Sequence, residues 1–191
     1  MMTTTTLETP ITRSIAEVPL YEVVNGRHLE LPPMGGLPTD IATILTLDLG
    51  TFARRNGLGK VVVEMLFLID RKAKLQRRPD VAFISAARWP VKKLAPEDAA
   101  WDVVPDLAIE VVSPTDRAEE ALGKIREYFE AGARAAWVVY PKERVIYLYD
   151  SFTSVRILTH ADVLEGGAIV PGFRLPLAEL FEDEPEGPPD A

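Results

Sequence analysis

One six-residue stretch constrains the fold more than any other. Leu107-Ala108-Ile109-Glu110-Val111-Val112 is a continuous, largely β-branched apolar run, interrupted by a single carboxylate. A strand with one wet face alternates polar and apolar residues, whereas an unbroken run marks a strand buried on both faces. Such a strand needs cover above and below, which points to helices packed against a sheet. Glu110 then stands where a purely structural design would place no charge, because an isolated ionised carboxylate in a dry interior is very costly.

The surrounding pattern completes an α/β fold. Tyr21–Val24 and Arg27–Leu31 flank Asn25-Gly26, the dipeptide suited to a two-residue hairpin turn. Thr39 to Arg55 carries apolar residues at helical spacing and ends at Asn56-Gly57. Val61–Ile69 is a strand candidate broken by Glu64; a basic turn spans Asp70–Arg78, and Val81–Ser85 returns as a strand. After a long connection over 86–104 and the 107–112 strand, Asp116 with Glu119 resembles a capping box. The amphipathic helix that follows runs to Gly132. Ala135–Tyr140, Val145–Tyr149 and Val155–Leu158 read as further strands, with another expected within Val163–Val170. The expectation is one central mixed β-sheet flanked by helices, occupying residues 16–181 as a single domain. Residues 1–15 read as a flexible N-terminus and 182–191 as an acidic disordered tail.

Composition narrows the classes. No apolar run approaches the ~18 residues of a membrane span, and no secretory signal opens the chain. The absence of cysteine excludes disulfide staples and thiolate zinc sites and fits a cytoplasmic protein. A net charge of −8 gives no overall attraction to nucleic acid.

Three residues carry the chemistry. Asp80 opens a strand after Pro79, and period-two alternation places Asp106, Ala108, Glu110 and Val112 on one strand face. Two carboxylates meeting from neighbouring strands make an oxygen-rich site for Mg²⁺ or Mn²⁺. Lys124 lies three residues after Ala121 and four before Tyr128, bordering the stripe that docks on the sheet. Its ammonium can reach toward the carboxylates while its stem stays buried. Phosphodiester hydrolysis uses this set, the metal polarising the phosphate and the lysine neutralising developing charge. A structural ion pair between Glu110 and Lys124, with Asp80 capping a turn, accounts for the same residues.

Accessory candidates are Glu64, either a further ligand or an outward-facing strand residue, Val111 beside Glu110, and Asp106, on the Glu110 face. Arg71, Lys72, Lys74, Arg77 and Arg78 put positive charge just before Asp80; Arg77 and Arg78 are the phosphate-binding candidates, unless the turn is simply a solvated hairpin tip. His28 and His160 are isolated, and Gly35-Gly36 and Gly166-Gly167 lack the context of a phosphate loop.

Arg78-Pro79-Asp80-Val81-Ala82-Phe83, then Pro105 to Asp116 with its Glu-Val-Val-Ser-Pro-Thr-Asp segment, then Lys124, Tyr128, Gly132 and Trp137-Val138-Val139, resemble the Uma family. That family consists of endonuclease-like proteins within the PD-(D/E)XK nuclease superfamily, and the likeness extends from about Tyr21 to Phe181. It implies a restriction-endonuclease-like fold, Mg²⁺ bound by Asp80 and Glu110, and DNA as the nucleic-acid partner, with homodimerisation left open. The superfamily's Glu-x-Lys lysine position holds Val112; Uma-like sequences carry the lysine on the following helix, where Lys124 stands. Many members have a histidine near the start of the first helix, where this chain has Thr39-Asp40. The function expected is a metal-dependent endonuclease, the alternative being a catalytically inactive nuclease-fold module for binding or assembly.

Overall fold

Asn25 and Gly26 take φ of 52° and 74°, the left-handed region that a tight hairpin turn demands. They join strands β1 (Tyr21–Val24) and β2 (Arg27–Glu30). This hairpin is the first element of a computed structural model that describes residues 19–97, 100–113 and 117–181. The N-terminus and acidic tail expected from the sequence, and the capping residue Asp116, lie outside the described residues.

Helix α1 (Gly36–Arg55) begins three residues before the expected start and ends at Asn56-Gly57. Val61–Ile69, expected as one strand, is two strands in two sheets. Glu64 adopts a φ of 46°, which a bulky side chain rarely does, and breaks the ladder there. Before it, β3 (Gly59–Val63) pairs antiparallel with β6 (Val81–Ser85). After it, β4 (Phe67–Asp70) pairs with β5 (Leu75–Arg77) and joins the hairpin in a four-stranded sheet of order β2-β1-β5-β4. The basic turn is accordingly shorter than expected, and Arg77 lies in a strand with its side chain buried.

The main sheet has six strands in the order β10-β9-β8-β7-β6-β3. Its interior strand β7 (Leu107–Val111) is buried throughout, as its composition demands. It runs parallel to β8 (Ala135–Tyr140) and antiparallel to β6. Helix α2 (Ala118–Ala131) connects the parallel pair and stops at Gly132, whose φ of 100° suits a residue without a Cβ. Strands β9 (Val145–Ser151) and β10 (Ser154–Thr159) extend the sheet to its free edge.

Alternation along β7 divides the core. Leu107, Ile109 and Val111 pack with Leu45 and Leu49 of α1, whereas Ala108 packs in the cluster of Phe67, Trp101 and Tyr128 on the opposite side. Glu110 shares the parity of Ala108, so it faces the layer that contains α2. The α1 side is closed by β11 (Val163–Glu165), β12 (Arg174–Pro176) and the short helix α3 (Leu177–Leu180), which bury Leu164, Leu175, Leu177 and Leu180. The strand expected within 163–170 is thus only three residues long, and β12 and α3 carry no periodic signal. Among the described residues no helix is long and apolar enough to cross a membrane.

Candidate active site

The antiparallel register of β6 and β7 pairs Val81 with Ile109. Carried one step outward, it sets Asp80 opposite Glu110, about 5 Å between Cβ atoms for directly facing residues. Asp80 Oδ2 accepts the Val111 N–H at 2.6 Å, which ties the start of β6 to the end of β7. Both carboxylates line one cleft of about 1180 Å³. Its walls are the β1–β2 hairpin, Glu64, the Arg77–Arg78 pair, the end of β7 and the start of α2.

Helix α2 brings two donors to Glu110. Lys124 and Tyr128 are four residues apart and therefore share a helix face. Lys124 Nζ lies 3.0 Å from Glu110 Oε2, and the Tyr128 hydroxyl donates to Glu110 Oε1 at 2.6 Å. Glu110 is 8% exposed and Tyr128 fully buried, so a charge that would be prohibitive alone is satisfied at both oxygens. Burial disfavours the Lys124 ammonium, but Glu110, then Glu22 and Asp80, outweigh it and hold the lysine above its ordinary pKa. Burial, followed by the charges of Glu110 and Glu22, pushes the Tyr128 phenol well above its ordinary value. Both groups stay protonated at neutral pH.

A third carboxylate, Glu22, belongs to the same network; in the sequence it reads as part of the first hairpin, without a chemical role. It is completely buried on β1. Glu22 Oε2 accepts from Arg77 at 2.5 Å, its Oε1 accepts the Arg78 N–H at 3.0 Å, and Lys124 Nζ stands 3.3 Å from Oε1. Arg77 also pairs with Glu127 of α2 at 2.6 Å. Burial lowers the pKa of Arg77, yet Glu127 and Glu22 more than reverse this, so the guanidinium remains charged. Pairing of β1 with β5 brings these residues together.

Asp80 and Glu110 are the two carboxylates that the β6–β7 register sets side by side at the cleft. Among the described residues no group of three or more His, Asp or Glu side chains forms a closed metal cage. Mg²⁺ commonly takes one or two protein carboxylates and completes its octahedron with water and substrate phosphate, so two carboxylates in an open cleft suit it.

The sequence profile of Uma2, a family described as "Putative restriction endonuclease", matches residues 12–178. The chain belongs to the Uma2 family. A solved structure from Anabaena variabilis, described as a "putative nuclease belonging to DUF820", superposes on the Uma2 chain with a TM-score of 0.72. It is 16% identical, and the match covers 85% of this chain and 90% of that one. It shows a shared fold. A cryo-EM structure of a DrdV–DNA complex gives a TM-score of only 0.41 at 16% identity, covering 75% of this chain and 12% of that one. No curated protein matches the sequence significantly.

The remaining candidates of the Uma2 chain separate. Val111 lines the cleft and supplies the N–H that fixes Asp80. Glu64 lines it too; its N–H donates to the Asp80 carbonyl at 3.1 Å, and its own carbonyl accepts from Arg78. Arg78 borders the cleft with Nε donating to the Tyr21 carbonyl at 3.1 Å. Arg77 reaches the cleft wall, but its guanidinium is committed to Glu22 and Glu127. Arg71, Lys72 and Lys74 are exposed and do not line the cleft. Asp106 lies outside the cleft lining: it accepts the Ser85 N–H at 2.7 Å and pairs with Arg88 at 3.2 Å and Arg134 at 3.5 Å. Four residues of strand at ~3.3 Å each separate it from Glu110 despite their common face.

Proposed function

We propose that this Uma2 protein is a metal-dependent endonuclease that hydrolyses phosphodiester bonds of DNA, using Mg²⁺ or, in its place, Mn²⁺. The observation that carries this reading is the convergence of Asp80, Glu110 and the Lys124 ammonium on one open cleft, in a chain of this family. Asp80 and Glu110 would hold the cation, which supplies charge neutralisation at the phosphate and a water of lowered pKa. Lys124 neutralises the negative charge that develops on the phosphoryl oxygens as the water oxygen bonds to phosphorus and the ester P–O bond breaks. Tyr128 keeps Glu110 oriented. With Arg77 held by two carboxylates, phosphate contacts fall to Arg78, Arg27 and Arg117, all at the cleft surface. A cytoplasmic location, which the absence of cysteine fits, belongs to the same reading.

A second reading is a non-catalytic nuclease-fold module for binding or assembly. What favours it is that Glu110 is already satisfied at both oxygens without a cation. One pair of measurements decides between them. Purified protein is assayed for cleavage of plasmid and linear DNA with Mg²⁺, Mn²⁺ or chelator, beside Asp80→Asn, while thermal melts are recorded under the same conditions. A nuclease cleaves only with cation, and a cation at about 100 times its Kd stabilises the fold by about 2.7 kcal/mol. That corresponds to a Tm rise of about 5–10 °C for a chain of this size, absent in Asp80→Asn. No cleavage and no cation-dependent rise would overturn the nuclease reading and leave the module.

A further inference from the structure

The Lys124 ammonium sits between two carboxylates on opposite walls of the cleft. Glu110 of β7 is 3.0 Å away and Glu22 of β1 is 3.3 Å away. The two contacts have different status. Glu110 is a proposed cation ligand, and a carboxylate oxygen that turns toward a cation is less available to a lysine. Glu22 has no such second task. Its buried charge is compensated by Arg77 at 2.5 Å and by the Arg78 N–H at 3.0 Å, so it does not need Lys124 to tolerate burial. Arg77 is itself fastened to α2 through Glu127, which makes the Glu22 carboxylate a rigid seat. Lys124, on a flexible four-carbon stem, forms its ion pairs among the described residues with these two carboxylates.

We propose that Glu22 is a positioning residue for Lys124, holding the ammonium over the cleft from the hairpin side while Glu110 serves the cation. The β1–β2 hairpin is then part of the active site rather than a lid on it. This rests on the nuclease reading for its consequence in catalysis, but the geometry itself can be tested without activity.

The decisive measurement follows the ammonium directly. In metal-free protein labelled with ¹⁵N-lysine, an ordered, paired ammonium exchanges its protons slowly and gives a resolved signal, assigned here by its loss in Lys124→Met. The signal should persist in Glu110→Gln, where Glu22 alone holds the lysine, and disappear in the Glu22→Gln/Glu110→Gln double variant. Loss already in Glu110→Gln, or survival in the double variant, overturns the proposal. If the double variant does not fold, Glu22→Asp with Glu110→Gln replaces it, since aspartate keeps the charge beside Arg77 but withdraws it from Lys124; an undiminished signal there likewise overturns the proposal. In the active protein, Glu22→Gln should lower kcat about 10- to 100-fold, the range for a misplaced catalytic group, with KM changed less than about threefold. Glu22→Asp, which keeps the charge beside Arg77 but withdraws it from Lys124, should lower kcat likewise; a wild-type kcat there overturns the proposal. Asp106→Asn, which alters a buried carboxylate outside the cleft lining, should leave kcat as in wild type; an equal fall there assigns Glu22 a packing role and overturns the proposal. Wild type that cleaves no DNA but shows the expected ammonium pattern refutes the nuclease reading and leaves the positioning intact.

Discussion

Replacing Lys124 with methionine removes the ammonium and keeps most of an unbranched apolar stem. The structure sets how much stability this costs. Deleting one partner of a buried ion pair costs about 3–5 kcal/mol when the other charge is left uncompensated. Here neither carboxylate is orphaned: Glu110 retains the Tyr128 hydroxyl at 2.6 Å, and Glu22 retains Arg77 at 2.5 Å and the Arg78 N–H at 3.0 Å. What is lost is one charged hydrogen bond and a second, longer contact, with the lysine side chain 20% exposed. The expected cost is therefore about 1.5–2.5 kcal/mol, or a Tm lowered by about 3–10 °C. Catalysis should suffer more, because one preorganised group facing developing charge is worth about 10²–10³ in kcat. Urea unfolding in chelator measures the first quantity and DNA cleavage at saturating Mg²⁺ the second. A stability loss above about 4 kcal/mol would show that the carboxylates depend on Lys124 alone, contrary to the partners assigned. An unchanged kcat would remove Lys124 from the chemistry.

Tyr128→Phe deletes the buried hydroxyl that donates to Glu110 and should cost about 1.5–3 kcal/mol by urea unfolding; a loss under about 0.5 kcal/mol refutes that bond's role. Asp106→Asn should destabilise by about 1–3 kcal/mol, because Arg88, Arg134 and the Ser85 N–H all converge on it, yet leave kcat unchanged; a specific fall in kcat would return Asp106 to the site. Asp162 accepts both the N–H and the hydroxyl of Thr159 at 2.8 Å, and these bonds hold its carboxyl below the ordinary aspartate range. A depressed folded pKa contributes stability present above the unfolded value of about 3.9 and lost as pH falls through the folded one. Any stability gap between wild type and Asp162→Ala should accordingly close in acid, and a carboxyl NMR titration of Asp162 at the ordinary value would refute the assignment.

What was legible in the sequence was what neighbours in the chain determine. Asn25-Gly26 needs no distant partner to turn, and the apolar stripe of α2 states its own period. The apolar content of 107–112, broken only by Glu110, demands an interior strand wherever the sheet lies. Two features resisted reading for the opposite reason. Nothing in Val61–Ile69 announces that Glu64 takes a φ of 46°, since that conformation is enforced from outside, by its N–H bonding to the Asp80 carbonyl and by Arg78 grasping its own carbonyl. The β12–α3 closure buries Leu175, Leu177 and Leu180 through a stretch too short and too rich in glycine and proline to show either period.

The candidate site follows the same division, and that explains which residue escaped. Glu110 betrays itself because it interrupts a buried strand, and Lys124 because it borders a helix stripe; parity in one element and spacing in the other suffice to aim them at each other. Glu22 occupies an ordinary-looking place in a short hairpin, where a glutamate beside a tyrosine is unremarkable as surface. Its burial comes from pairing with β5, and its partner Arg77 stands 55 residues away in sequence. The basic run before Asp80 reads as a turn, and only the structure, by placing Arg77 inside β5, shows an arginine that calls for a carboxylate opposite. The same geometry explains how Val112 can occupy the strand position that a Glu-x-Lys motif gives to lysine. A helix that docks on the Glu110 face presents Lys124 and Tyr128 one turn apart, each to a different oxygen of the same carboxylate. On the reading proposed above, Lys124 supplies from the helix the ammonium that Val112 cannot supply from the strand.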